Sequence, residues 1–261
     1  DDIDDGDQAY SIVLAAATSS DSNYNGVNPD DVVVTNNDDS DTLGITVSAI
    51  SGATTEAAGT ATFTVVLTSE PTSDVTIGVS SSDTGEGTVN TASLVFTDSN
   101  WASAQTVTVS GVNDDIDDGD QAYNIVLAAA TSSDSNYNGV NPDDVSVTNS
   151  DNDTKGITVS AISGATTEAA GTATFTVVLT SEPTSDVTVG VSSSDTGEGT
   201  VNTASLTFTD SNWASAQTVT VSGVNDDIDD GDQAYNIVLA AATSSDSNYN
   251  GVNPDDVSVT N

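Results

Sequence analysis

Five aspartates fall within seven residues of the stretch NDDIDDGDQAY, at Asp114, Asp115, Asp117, Asp118 and Asp120. The stretch returns with Asp226, Asp227, Asp229, Asp230 and Asp232, and all but its first residue opens the chain. Carboxylates this dense repel one another, and a stable fold does not require them. One reading is a solvated acidic loop. The other is a Ca2+ site: Ca2+ takes roughly six to eight hard oxygen ligands, often from Asp and Glu on loops, and a dication turns the repulsion into coordination. The spacing is not that of an EF-hand. Counted from Asp115, the twelfth loop position is Val126, where that motif needs a bidentate Glu, and Gly119 is the fifth residue rather than the sixth. Any Ca2+ site must therefore draw ligands from several loops.

Other chemistry is largely excluded. The chain has 261 residues, 41 acids and a single base, Lys155, for a formal net charge of −40. Such a surface repels DNA, RNA and anionic lipid, so nucleic acid is not an expected partner. There is no histidine, cysteine or methionine. Imidazole zinc sites, Ser-His-Asp triads, thiolate sites and disulfides are absent with them. No nucleophile–base pair, phosphate loop or cofactor motif is visible, so the expectation is a non-enzymatic protein. No apolar run approaches the roughly 18 residues of a membrane span, so no membrane insertion is expected. No signal peptide is seen, in a sequence that reads as an excerpt. An extracellular domain without disulfides needs another staple, and bound metal is a candidate.

The elements that carry the acids are organised as a repeat. The segment beginning GITVSAISGATTEAAGTATFTVVL starts at Gly44 and again at Gly156, a period of 112 residues. Residues 44–149 and 156–261 differ only at Ile77/Val189 and Val95/Thr207, and residues 1–36 are a partial copy matching 114–149. This predicts two domains, 44–149 and 156–261. Before them lies a partial repeat, 1–36, the last third of a third sandwich. Acidic linkers at 37–43 and 150–155 join them. A period this long indicates whole domains in series rather than a solenoid. Within a unit the period is two: ATFTVVL, VTIGVS, SLVFT, AQTVTVSGV, AYNIVLA and VSVT alternate apolar and polar residues, and ITVSAI at 45–50 adds a first strand. About seven short antiparallel strands in some 105 residues predict an all-β fold, a tandem of β-sandwiches strung like beads. Ile77 shares a face with Val75 and Val79, so its change to Val189 is a small core change. Val95 points away from Leu94 and Phe96, so its change to Thr207 belongs to a solvent face. The Asp114 cluster lies between two strands, on a loop at one end of the sandwich.

The pattern TVTVSGVNDDIDDGDQAYNIVL, a strand followed by an acidic DD-x-x-D-G-D loop and an aromatic-bearing strand, resembles the Calx-β domain family. The resemblance covers both full units, and the leading fragment matches the last third of the family's pattern. It implies an Ig-like sandwich whose acids meet at one tip, beside the junction with the next domain. It also implies further Ca2+ ligands: Glu56 in TTEAAGTATFTV, Asp83 and Glu86 in SSDTGEGT, and Asp151 and Asp153 in TNSDNDT. Their counterparts one period on are Glu168, Asp195 and Glu198. Gln121 stands where many members of the family carry Glu.

Trp101 and Trp213 are expected to pack at a strand end, Tyr137 to anchor a loop, and Lys155 to be a solvated linker residue. Asp143 and Asp144 form a candidate second cation site. Near-identical sandwiches with acidic junctions suggest a Ca2+-rigidified stalk or extender of an adhesin-like bacterial surface protein, extracellular or at the cell surface. Its partners are then the neighbouring repeats of its own chain. The alternative is a subunit of a self-assembling extracellular filament or surface layer, in which identical subunits complete residues 1–36 by strand addition. An intracellular calcium sensor is disfavoured by the charge and by the identical tandem units.

Overall fold

The computed structural model describes residues 2–38, 42–225, 228 and 230–261, and among these none is helical. Two compact units are present: Asp1–Val112 with Ala122–Asn149, and Asn113–Gln121 with Ser150–Asn261.

The first unit opens with a two-stranded ribbon, β1 (Gln8–Ile12) and β2 (Val32–Asn36), paired antiparallel with Gln8 opposite Asn36. A sandwich follows, built from β3 (Ile45–Val47), β4 (Thr54–Thr55), β5 (Thr60–Leu67), β6 (Val75–Ser81), β7 (Gly87–Val89), β8 (Ser93–Phe96), β9 (Gln105–Gly111), β10 (Gln121–Leu127), β11 (Thr131–Ser132) and β12 (Val145–Ser150). One sheet runs β3-β5-β9-β7. The other runs β11-β6-β10-β12-β4, with β8 also on β6.

The second unit repeats this with β13 (Ile157–Val159), β14 (Thr172–Leu179), β15 (Val187–Ser193), β16 (Gly199–Val201), β17 (Ser205–Phe208), β18 (Gln217–Gly223), β19 (Ala234–Leu239) and β20 (Val257–Thr260). Its sheets are β13-β14-β18-β16 and β17-β15-β19-β20. The counterparts of β4 and β11 persist as single contacts, Thr166 N–H to Thr260 O and the Thr188–Thr243 bridge. Each unit is an antiparallel Ig-like sandwich.

Alternation puts the core where the sequence pattern places it. Along β5, Ala61, Phe63, Val65 and Leu67 are buried while Thr60 and Thr62 are exposed. Phe96, Val107, Val109, Ile125 and Leu127 meet them from both sheets. Burying each such side chain contributes about 1.5–3 kcal/mol. Ile77 and Val189 are both fully buried, whereas Val95 is 41% exposed and Thr207 is exposed.

The strand expected over 45–50 ends at Val47. Beyond it, the Ser48 and Ser51 hydroxyls accept the N–H bonds of Thr64 and Thr62, so side chains take over the ladder. Strands β4, β7 and β11 are two or three residues long, too short to show a period of two. Trp101 is half-buried against the first core. Tyr137 is 1% exposed and donates its hydroxyl to Ser69 O at 2.7 Å, which fixes its loop as expected.

Candidate metal centre

The loop at 113–121 and the linker at 150–155 belong to one compact unit, and they are tied together by their own hydrogen bonds. Gly119 N–H donates to Asp151 Oδ2 at 2.8 Å, and Asp151 N–H donates to Asp120 Oδ1 at 3.1 Å. Asp114 Oδ1 accepts from Ile116 N–H and Asp151 Oδ1 from Asp153 N–H, so each carboxylate shapes its own turn. Asp114 and Asp118 bring carboxylate oxygens within 4.8 Å of each other, as do Asp151 and Asp153. Like charges about 4 Å apart repel by roughly 1 kcal/mol in water and about 4 kcal/mol near a protein surface.

The electrostatics record the crowding. Burial pushes the Asp153 carboxyl above the ordinary range, and the charges of Asp115, Asp151, Asp114 and Asp117 push it further. Partial desolvation raises Asp118 as well. A side-chain bond from Gln121 opposes this, and Asp114 and Asp151 add to it. Asp153 Oδ2 is buried with no hydrogen-bond partner, the single such side-chain atom among the described residues. Leaving a buried acceptor unpaired costs about 1–3 kcal/mol, more when it is charged. An all-oxygen, all-acidic donor set with one oxygen left over is the chemistry that suits a hard dication.

The same loop is anchored to the sandwich of its unit. Asp115 O accepts from Glu182 N–H at 2.6 Å and Asp117 O from the Asn248 amide. Asp117 Oδ2 accepts from Lys155 N–H at 2.7 Å. The first unit repeats this one period earlier. There Asp2 O accepts from Glu70 N–H, Asp4 O from the Asn136 amide, and Asp4 Oδ2 from Leu43 N–H. Lys155, expected to be solvated, is exposed but donates Nζ to Asn248 Oδ1 at 3.1 Å. Asn136, Asn248 and the Glu70 and Glu182 amides carry no charge signal that could have marked them in the sequence.

In the first unit Glu56 is 3% exposed, just before the Ala58 turn, whose φ is +60°. Its counterpart Glu168 is exposed. Glu86 Oε2 accepts from Asn149 Nδ2 at 3.3 Å, and Glu198 accepts from Asn261. Asp83 and Asp195 are exposed and give Oδ1 to Gly85 and Gly197 N–H, which folds the turn that presents Glu86 and Glu198. In the second unit a cleft of about 580 Å³ is lined by Glu168, Asn225, Asp232 and Asn261. Asp230 O accepts from Gln233. Asp226, Asp227 and Asp229 lie outside the described residues. Asp144 gives Oδ1 to Leu127 N–H, and with Asp143 it lines a groove beside Ile45 and Ile50.

The model of one domain family, the Calx-beta domain, matches residues 36–153 and 149–260. No curated protein matches the chain in sequence. Among solved structures the chain is similar to the calcium binding domain CBD12 of CALX1.1, at 17% identity over 73% of this chain and 77% of that chain, with a TM-score of 0.34. It is similar to CBD12 from CALX1.2 at 15% identity over 76% and 81%, with a TM-score of 0.34. It is also similar to domains 5–6 of the S-layer protein SbsC at 19% identity over 84% and 97%, with a TM-score of 0.25.

Proposed function

Because this chain belongs to the Calx-beta domain family, we propose that it is a non-enzymatic structural segment of an extracellular protein, a stalk or extender stiffened by Ca2+. The carrying observation is Asp153 Oδ2, buried and unpartnered among Asp114, Asp115, Asp117 and Asp151. The ligands we assign are Asp114, Asp118, Asp151 and Asp153, which crowd within one unit, with Glu56 and Glu86 as further ligands. Asp115, Asp117, Asp120 and Asp83 are the further ligands we assign. The second copy is Glu168, Asp195, Glu198, Asp226, Asp227, Asp229, Asp230 and Asp232.

When bound, Ca2+ supplies the positive charge that cancels the repulsion within the cluster. The chain supplies the rest. Short turns hold the carboxylates in place, and Asn248 and the Glu182 amide fix the acidic loop. Linker acids held in one ligand set with the acids of the 113–121 loop would lose freedom on binding, which is how a junction stiffens. Extracellular modules bind Ca2+ at about 10⁻⁴–10⁻³ M, where a millimolar medium keeps them loaded.

Calorimetric titration with Ca2+, run with small-angle scattering, tests the reading. Saturable binding with elongation is expected. The double variant Asp114→Asn, Asp118→Asn should lose binding at this cluster. No binding at ~10 mM, above the range for such modules, removes the proposal.

A filament or surface-layer subunit is the second reading. The exposed apolar side chains of β1 and β2 favour it: Tyr10 is 51% exposed and Val33 71%.

A further inference from the structure

We infer that Asn149, with Thr54 and Tyr123, is a positioning hub that sets the stems of the acid-bearing loops and so tunes metal affinity without touching the metal. The inference rests on the calcium reading above. Asn149 is 1% exposed, Thr54 0% and Tyr123 4%. Asn149 Nδ2 donates to Val112 O at 3.0 Å, the last carbonyl before the acidic loop, and to Glu86 Oε2 at 3.3 Å. Its Oδ1 accepts from Thr54 Oγ1 at 3.0 Å, two residues before Glu56. Tyr123, just after the acidic loop, completes the chain through its hydroxyl to Thr54 Oγ1 at 3.1 Å.

One amide therefore joins four segments: the strand before Glu56, the turn bearing Glu86, and the entry and the exit of the Asp114 loop. Its amide donates to two acceptors while its carbonyl accepts from a hydroxyl, so its orientation is fixed and both of its donors are used. Neither aspartate nor an apolar side chain can supply that set. The backbone is cut to admit it. A Cβ on Gly111 would collide with Asn149 Oδ1 and Thr55 O, and one on Gly87 with the Tyr123 hydroxyl. The second unit repeats the arrangement with Thr166, Glu198, Gly199, Gly223, Tyr235 and Asn261. A plain core needs no buried amide here. Groups that orient metal ligands from behind are what such networks supply elsewhere, and their loss costs about 10–100-fold in affinity.

The full chain, Asn149→Ala and Tyr123→Phe are compared by Ca2+ calorimetry and by melting in chelator and in Ca2+. Asn149→Ala should bind one set of sites about tenfold more weakly, with a smaller Ca2+-induced rise in melting temperature. Tyr123→Phe, which keeps the ring and secures the comparison if Asn149→Ala does not fold, should show the same change to a lesser degree. Variants that melt lower in chelator yet keep wild-type Ca2+ affinity and the full Ca2+-induced rise would overturn the hub. Failure of the wild-type chain to bind Ca2+ would instead overturn the calcium reading on which the hub rests.

Discussion

At the scale of the residue, Asp153 concentrates the tension of the site. Its buried oxygen has no donor, and its neighbours share its charge. Asp153→Asn should therefore raise metal-free stability by about 1 kcal/mol while reducing the gain on adding Ca2+, both read by melting with and without chelator. The pH dependence has a definite sign. Asp153 and Asp118 hold protons in the folded state that the unfolded chain releases. Their stabilising effect is complete below the unfolded value of about 3.9 and is lost as pH rises through the raised folded values. The metal-free chain should thus melt higher as pH falls from neutral toward that value, and Asp153→Asn should flatten the profile. Asp134 acts oppositely. Burial raises it, but bonds from Thr72 and Asn136 N–H outweigh burial and leave it depressed. Its contribution is present above about 3.9 and is lost as pH falls through the lower folded value. The acids themselves were legible in the sequence because charge density marks them. Asn149 was not, since a lone Asn at a strand end looks like any turn residue until its three partners converge on it.

At the scale of the element, strand faces were readable wherever a strand is long enough to alternate. Two near-identical units offered a natural test of that reading, because each position where they differ must suit its face. Val95→Thr should change stability by less than about 0.5 kcal/mol, as expected of an exposed position opposite Thr76. Phe63→Ala, on a buried face of β5, should cost about 3–5 kcal/mol. Urea unfolding of the two variants measures both, and a comparable cost at Val95 would contradict the register. The strands that escaped the sequence are those of two or three residues, β4, β7 and β11. There pairing is set by tertiary neighbours rather than by periodicity. The far end of the strand from Ile45 escaped for another reason, since serine hydroxyls stand in for a backbone carbonyl.

At the scale of the whole molecule, the leading ribbon keeps in the open an apolar face that the full repeats bury. Tyr10, Ile12, Leu14 and Val32 are exposed, while their counterparts Tyr123, Ile125, Leu127 and Val145 are buried. If the filament reading holds, sedimentation should show concentration-dependent association of the full chain, and a chain lacking residues 1–36 should stay monomeric. Identical sedimentation of the two would remove that reading.

The buried bond from Thr54 to Asn149 spans 95 residues of sequence, and Thr166 to Asn261 spans the same distance. The first and last segments of a repeat must meet before its sandwich closes, so each repeat folds late and as a whole. During synthesis residues 44–149 emerge before 156–261, so the first full repeat can close before the second supplies its copies. Order of emergence would then separate the two full repeats, whose sequences differ too little to do so.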